Sequence, residues 1–464
     1  VSATQFSHNI FSEMFSPQML SKYDVSGPRY TSYPTAVEFS DDFQNSDLVN
    51  AIAASDTDDL SLYLHIPFCH SLCYYCGCNK IVTRHKEKAD EYIDYLCREI
   101  DARAPLVSNK TVKQMHWGGG TPTFLSKQQI SRLVDKLKSA FQFDPNIEMG
   151  IEVDPREIEL DLVDHLYQVG FNRLSIGVQD VDSKVQKAIN RLQSTEFIID
   201  LVKRAKKVGF DSVNIDLIYG LPHQTTTSFA NTIAAVKNID PDRISLFSYA
   251  HLPSRFAAQR KIRDQWLPSS AQKLELMQFA IESLVDMGYE FIGMDHFAKP
   301  DDELAKAQCQ GTLHRNFQGY TTLGDCDLLA LGVSAISAMG QSFSQNVKTL
   351  KEYYQAIDGY GQPLEKGIVT NTDDVIRAFV IRQLMCNFRV DKHDVEQRFN
   401  IVFDDYFADD LQTLLVFIND GLLVNDNNAI VVNAKARLLI RNICMSFDAY
   451  LKTKLHQQRF SKVI

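Results

Sequence analysis

Three short strings, Val169-Gly170-Phe171, Val208-Gly209-Phe210 and Met287-Gly288-Tyr289, constrain this chain more than any other feature. Each closes a helical pattern and opens an apolar run. Glycine supplies the left-handed residue that ends a helix, and the aromatic begins the next strand. The glycines lie 39 and 79 positions apart, one strand–helix unit and about two. Strand patterns at Leu60–Ile66, Lys113–Trp117, Ile147–Val153, Arg173–Val178, Val213–Tyr219 and Ile244–Ala250 alternate with helical ones. One helix start is explicit: Ser126 and Gln129 form a capping box, followed by the apolar stripe Ile130, Leu133, Val134, Leu137 and Phe141. About six such units in succession favour a parallel barrel or partial barrel over an open doubly wound sheet. Periodicity leaves its closure open.

The residues after each strand carry the chemistry. They are Pro67 and a cysteine group, then Gly118-Gly119-Gly120-Thr121-Pro122, then Glu152 with Asp154-Pro155. Gln179-Asp180, Asp216 before Gly220-Leu221-Pro222, and His251-Leu252-Pro253 complete the series. The C-terminal ends of parallel barrel strands share one face, where active sites sit. Cysteines, glycines, Glu152, Gln179 and Asp216 are therefore expected around one cavity. Glu152 and Asp216 interrupt otherwise apolar strands. An ionised carboxylate buried there costs several kcal/mol unless it is paired, so each is expected to meet a cation from protein or ligand. The glycine run lacks the Gly-Lys-Ser/Thr of a phosphate loop, and its small residues let a ligand approach the backbone.

Cys69, Cys73, Cys76 and Cys78 fall within ten residues, four of the nine cysteines in the chain. Structural zinc sites pair two knuckles a dozen or more residues apart, and no second knuckle is present. A redox pair at Cys73 and Cys76 lacks its usual helix-opening context. An iron–sulfur cluster held by Cys69, Cys73 and Cys76 fits best, with one iron left open. Cys78 is a conceivable fourth ligand, although Cys76-Gly77-Cys78 is tight spacing for two corners of a cube. The remaining cysteines read as small buried hydrophobes.

The chain has 464 residues, 48 basic against 58 acidic, for a net charge of −10. No basic tail points to nucleic acid, and no apolar run approaches the ~18 residues of a membrane span. The N-terminal residues lack a charged and apolar leader pattern, and the odd, scattered cysteines suit a reducing compartment, so a cytoplasmic location is expected. Residues 1–55 read as an arm in which Pro28-Arg29-Tyr30-Thr31-Ser32-Tyr33-Pro34-Thr35 cannot be helical. Residues 56–349 read as the barrel with accessory segments. Residues 350–464 read as a mainly helical domain whose helix and hairpin are like a winged helix without a basic face. Arg255, Arg260, Lys261 and Arg263 form a basic group that reads first as a solvated helix face.

Cys69-x3-Cys73-x2-Cys76 with Tyr75, followed by Gly118-Gly119-Gly120-Thr121-Pro122, resembles the radical S-adenosylmethionine (SAM) enzymes. Nearly the whole length resembles the oxygen-independent coproporphyrinogen III oxidases of haem biosynthesis. The specific motifs are the Pro28–Thr35 arm, Tyr63-x-His65-Ile66-Pro67-Phe68-Cys69, Cys76-Gly77-Cys78-Asn79, and Asn316-Phe317-Gln318-Gly319-Tyr320-Thr321-Thr322. The resemblance implies a partial parallel (β/α)6-type radical SAM barrel. It implies that Cys69, Cys73 and Cys76 hold a [4Fe–4S] cluster and that Tyr63, Gly119, Glu152 and Ile336 bind a first SAM chelating the open iron. A second SAM is implied at Tyr75, Gly120, Thr121, Gln179, Arg191, Asp216 and Ala250. His65, Cys78, Phe317 and Gln318 lie on motifs associated with activity. The implied reaction is radical oxidative decarboxylation of two propionates of coproporphyrinogen III to vinyl groups, giving protoporphyrinogen IX. Arg29 and the 255–263 group become candidate partners for substrate carboxylates. The chain is expected to be a monomer, with its electron donor and acceptor unassigned. A related haem chaperone shares the three-cysteine motif but typically lacks Cys78 and the arm, both present here.

Overall fold

The computed structural model describes Met19 and residues 22–453. By contacts they form two discontinuous units. One comprises Phe39–Ala280 and Asp325–Val369; the other comprises the residues up to Glu38, Ile281–Gly324 and those from Thr370 onward.

In the first unit six parallel strands lie side by side in chain order. They are β1 (Asp59–Ile66), β2 (Thr111–Gly119), β3 (Gln142–Val153), β4 (Arg173–Gln179), β5 (Ser212–Tyr219) and β6 (Arg243–Ser248). Helices Glu87–Arg103, Lys127–Ala140, Asp161–Val169, Thr195–Val208 and Thr226–Ile239 return the chain between them. The expected Ser126 capping box is present: Gln129 N donates to Ser126 Oγ at 3.2 Å and Ser126 N to Gln129 Oε1 at 2.9 Å. Gly170 and Gly209 end their helices with φ of 116° and 110°, a region open to glycine at little cost.

On the other edge of β1 lie β7 (Asp327–Leu331), parallel to it, then β8 (Ile336–Met339), β9 (Ser342–Asn346) and β10 (Leu364–Val369), each antiparallel to its neighbour. These four strands escaped the sequence reading; segments such as Ser342-Phe343-Ser344-Gln345-Asn346 carry almost no apolar alternation, while Leu328-Leu329-Ala330-Leu331 of β7 is a short apolar run without one. Among the described residues no ladder joins β6 back to β7–β10, so the barrel is partial.

Strand alternation sorts the side chains into two faces. Leu60, Leu62, Leu64 and Ile66 of β1, Met115 and Trp117 of β2, and Ile215 and Leu217 of β5 are fully buried, along with Ile130, Leu133 and Leu137 of the capped helix. Each such side chain contributes roughly 1.5–3 kcal/mol by leaving water. The opposite parity carries Tyr63, His65, His116, Gly118, Glu152, Gly177 and Asp216. Register aligns them: Tyr63 with His116, His65 with Gly118, His116 with Gly150, Glu152 with Ser175, and Gly177 with Asp216.

The second unit contains helices Thr372–Asn387, Lys392–Phe399 and Ala408–Asn419 and the antiparallel strands Arg389–Asp391, Ala429–Val432 and Leu423–Asn425. The arm docks here: Arg441 Nε donates to the Pro28 carbonyl at 2.8 Å, and Tyr30 Oη donates to Asp448 Oδ2 at 2.9 Å. Contacts divide the chain elsewhere than at residues 55 and 349. Asn45–Ala53 and Leu350–Tyr360 belong to the sheet unit, where Tyr353 Oη donates to buried Glu99 Oε2 at 2.6 Å.

Candidate active site

The loop after β1 is anchored at both ends. Phe68–Cys69 pairs in parallel with Ile81–Val82, and Pro67 O accepts from Ile81 N at 2.7 Å. Between these ends the chain presents Cys73, Cys76 and Cys78, and none of the nine cysteines is paired in a disulfide. Cys69 and Cys73 are buried, Cys76 half-buried and Cys78 exposed. Donors surround the buried sulfurs. Thr121 Oγ1 lies 3.4 Å from Cys69 Sγ, Arg156 Nη2 3.3 Å and Arg191 Nη1 3.5 Å from Cys73 Sγ. A hydrogen bond from the Cys78 thiol, opposed by burial and helped by Lys80, lowers the Cys76 pKa. Among the described residues no three His, Cys, Asp or Glu side chains are placed to hold a single metal ion. Thiols ringed by hydrogen-bond donors suit thiolates on the corners of an iron–sulfur cluster, which spreads its ligands wider than one ion does.

Beside the loop, Glu152 and the glycine run form a second feature. The Gly119 amide donates to Glu152 Oε2 at 3.2 Å, and His116 Nε2 lies 3.7 Å from Oε1. A methyl group on Gly118 would stand 2.8 Å from Glu152 Oε1, and one on Gly120 would stand 2.5 Å from the Pro67 carbonyl. Tyr63 stacks on His116 with centroids 6.2 Å apart. His65 Nε2 lies 3.0 Å from the Asn79 carbonyl, which only accepts, so that nitrogen carries the proton and Nδ1 accepts from Tyr63 Oη at 3.3 Å. Burial lowers the His65 pKa and keeps this ring neutral. The Glu152 side chain remains 44% exposed, a carboxylate with room for a ligand cation.

Arg191 forms a third feature. It is buried, donates through Nη2 to the Gly177 carbonyl at 2.7 Å and through Nη1 to Asp154 Oδ2 at 3.3 Å. Gln179 has φ of 66°, unusual for a residue with a side chain, and a methyl on Gly177 would stand 2.8 Å from its amide nitrogen. Asp216 accepts from Asn214 Nδ2 at 2.9 Å. Burial, then the Glu152 charge, pushes its carboxyl up to about 7. A buried carboxyl in this state fits a cationic ligand such as the sulfonium and ammonium of SAM.

Of the residues named from sequence, Tyr63, His65, the four clustered cysteines, Tyr75, Gly119, Gly120, Thr121, Glu152, Gln179, Arg191, Asp216, Ala250 and Ile336 all belong to the sheet unit. Ile336 opens β8, on the antiparallel flank. Phe317 and Gln318 belong to the other unit, on the turn between His314–Arg315 and Tyr320–Thr321. Arg255, Arg260, Lys261 and Arg263 are exposed, matching the solvated reading. Two residues, Arg156 and Gln259, escaped that reading, and Asp154, named there only as a strand-end residue, gains a partner. Asp154 and Arg156 form an ion pair at 2.6 Å that backs the Cys73 thiol. Gln259, 2% exposed, donates to the carbonyls of Tyr75 at 2.9 Å and Ala250 at 3.2 Å, tying two loops together. A buried glutamine in a loop of charged neighbours gives no signal in sequence.

The radical SAM superfamily model matches residues 63–236 and the HemN C-terminal domain model residues 371–439. The oxygen-independent coproporphyrinogen III oxidases of Salmonella typhimurium and Escherichia coli are each 58% identical over 446 residues, covering 96% of this chain and 98% of theirs. That of Pseudomonas aeruginosa is 48% identical over 451 residues, 96% of this chain and 98% of its own. The solved coproporphyrinogen III oxidase (HemN) of Escherichia coli, described as a radical SAM enzyme, superposes with a TM-score of 0.91 at 58% identity. The match covers 94% of this chain and 99% of that one. The fold and the full-length identity together settle the family: the chain belongs to the oxygen-independent coproporphyrinogen III oxidases, within the radical SAM enzymes.

Proposed function

We propose that the chain converts coproporphyrinogen III to protoporphyrinogen IX by oxidative decarboxylation of two propionates to vinyl groups. The observation that carries this is identity of 58% along 96% of the chain with enzymes of that name. The donor-ringed thiols, the half-exposed Glu152 carboxylate and the buried Asp216 carboxyl supply the chemical support. A [4Fe–4S] cluster with SAM supplies, when bound, the one-electron chemistry that removes a hydrogen atom from an unactivated carbon.

The protein's own work is to hold and shield. Cys69, Cys73 and Cys76 are the proposed cluster ligands, with Thr121, Arg156 and Arg191 stabilising the thiolates at Cys69 and Cys73. Glu152 takes the ammonium of the first SAM while Gly119 offers it a close backbone, with Tyr63 and Ile336 completing the set. We assign a second SAM to Tyr75, Gly120, Thr121, Gln179, Arg191, Asp216 and Ala250, supported by the burial of the Asp216 carboxyl against the Asn214 amide. The Tyr63–His65–Asn79 chain of hydrogen bonds holds the strand leading into the cluster loop. Cys78, Phe317 and Gln318 are proposed contributors to the reaction, and a single protomer is the proposed working form. Among the described residues no helix is long and apolar enough to cross a membrane.

The test is anaerobic reconstitution with iron, sulfide, reductant, SAM and coproporphyrinogen III. Formation of 5′-deoxyadenosine and vinyl product supports the reading; absence of both in an iron-replete sample would falsify it. Counting bound SAM per chain by equilibrium dialysis decides between one molecule and two.

A further inference from the structure

Arg29 stands beside the Asp295 carboxylate, and Arg315 and Arg441 lie within reach of the same charges, all within the second unit. Arg29 Nη1 stands 3.5 Å from Asp295 Oδ2, with its side chain 42% exposed. Asp295 also accepts from His296 Nδ1 at 2.8 Å. Arg441 is buried and donates to the carbonyls of Pro28 and Gly27, so it braces the stretch of arm that carries Arg29. Arg315 lies over the Tyr320 ring, 4.8 Å from its centroid. Its Nε and Nη1 are shielded from solvent with no hydrogen-bond partner, and the same holds for Gln318 Nε2, three residues on. His296 packs edge-on against Tyr320 at 5.1 Å, closing the group.

Positive charge is concentrated here: the fields of Arg29 and Arg315 both act on Arg441, and burial together with Arg29 brings it down to about 10, Asp295 and Tyr30 pulling the other way. Buried N–H groups without acceptors carry an uncompensated desolvation cost. An entering anion with two oxygens would satisfy the open donors and offset the excess charge, and guanidinium matches carboxylate in a two-pronged geometry.

We propose that Arg29, Arg315 and the Gln318 amide, braced by Arg441, form a subsite for one substrate carboxylate that is retained through the reaction. This rests on the proposed function, in which a substrate with four carboxylates loses two. The retained identity follows from the charge. A carboxylate gripped by guanidinium is stabilised as an anion, and its departure as neutral CO2 would forfeit those bonds and leave the arginines uncompensated. The subsite therefore suits a propionate that orients the macrocycle.

The test uses reconstituted holoenzyme with Arg315→Met, Arg315→Lys and Arg29→Gln. The first readout is KM for coproporphyrinogen III. The second is fluorescence titration with coproporphyrin III and with its tetramethyl ester, which keeps the ring and lacks the charges. Wild type is expected to bind the free acid about tenfold or more tighter than the ester. Arg315→Met and Arg29→Gln are expected to lose most of that preference and raise KM by a similar factor, with Arg315→Lys intermediate. If Arg315→Met does not fold, Arg29→Gln at its more exposed position decides alone. Unchanged preference and KM in the variants, alongside vinyl formation by wild type, overturn the subsite. Absence of vinyl product from wild type overturns the underlying reading instead.

Discussion

The Gly119 amide donates to Glu152 Oε2 at 3.2 Å, so the residue with the freest backbone in the glycine run holds the carboxylate beside the cluster loop. Glu152→Gln keeps the size and an accepting oxygen while removing the charge. A hydrogen bond to a charged group is worth about 1.5–3 kcal/mol, so SAM affinity is expected to fall about tenfold to a hundredfold. Equilibrium dialysis with the iron-loaded protein measures it. Wild-type affinity in the variant would remove Glu152 from the cation site.

Gly119 has φ of 112°, and a methyl group there would stand 2.6 Å from the His65 ring. Gly119→Ala combines backbone strain of about 1–3 kcal/mol with displacement of His65 from the Asn79 carbonyl. It is expected to lower the urea midpoint and weaken SAM binding together. Binding that survives a lowered midpoint would separate the turn from the ligand site.

Much of this site was legible because strand period and helix caps act locally. The alternation of Leu60, Leu62, Leu64 and Ile66 with Tyr63 and His65 fixes which side chains share a face, whatever lies far along the chain. Gly170 and Gly209 mark their helix ends for the same reason. Gln259 and Arg156 were not legible, since their roles depend on which loops meet, and that is a property of the closed fold. β8–β10 were missed because they are held by pairing with their neighbours and by buried hydrogen bonds, such as Ala330 N to Ser337 Oγ at 2.9 Å, rather than by an apolar stripe, and β7 because its short apolar run Leu328–Leu331 lacks a period.

Asp216 predicts a pH dependence with opposite signs for binding and stability. Its carboxyl sits at about 7 in the fold, against about 3.9 in an unfolded chain. Between those values the folded state holds the extra proton, so stability is lost as pH rises through about 7. A cationic ligand selects the ionised form, so SAM affinity is expected to increase across the same window. Asp216→Asn keeps an oxygen for the Asn214 amide. It is expected to unfold at higher urea than wild type at pH 8, with the gap closing near pH 4. The pH slope of SAM binding should flatten in the same variant. A slope that persists in Asp216→Asn assigns the titration to another group.

Behind the cluster loop, Tyr92 Oη donates to the His65 carbonyl at 2.7 Å and accepts from Val333 N at 3.1 Å, with the whole side chain buried. The hydroxyl thus joins the end of β1 to the turn after β7. Its neighbourhood is tight, since a methyl group on Gly332 would stand 2.4 Å from the oxygen. Tyr92→Phe leaves both backbone groups buried without partners, at about 1–3 kcal/mol each. The variant is expected to unfold at lower urea and to bind SAM more weakly, because the His65 carbonyl is released one residue from Ile66, whose own carbonyl accepts from Gly120 N at 2.8 Å. Circular dichroism during urea titration, with SAM dialysis on the same preparation, checks both effects. A stability loss with unaltered SAM affinity would show that the β1–β7 tie supports the sheet without setting the geometry of the glycine loop.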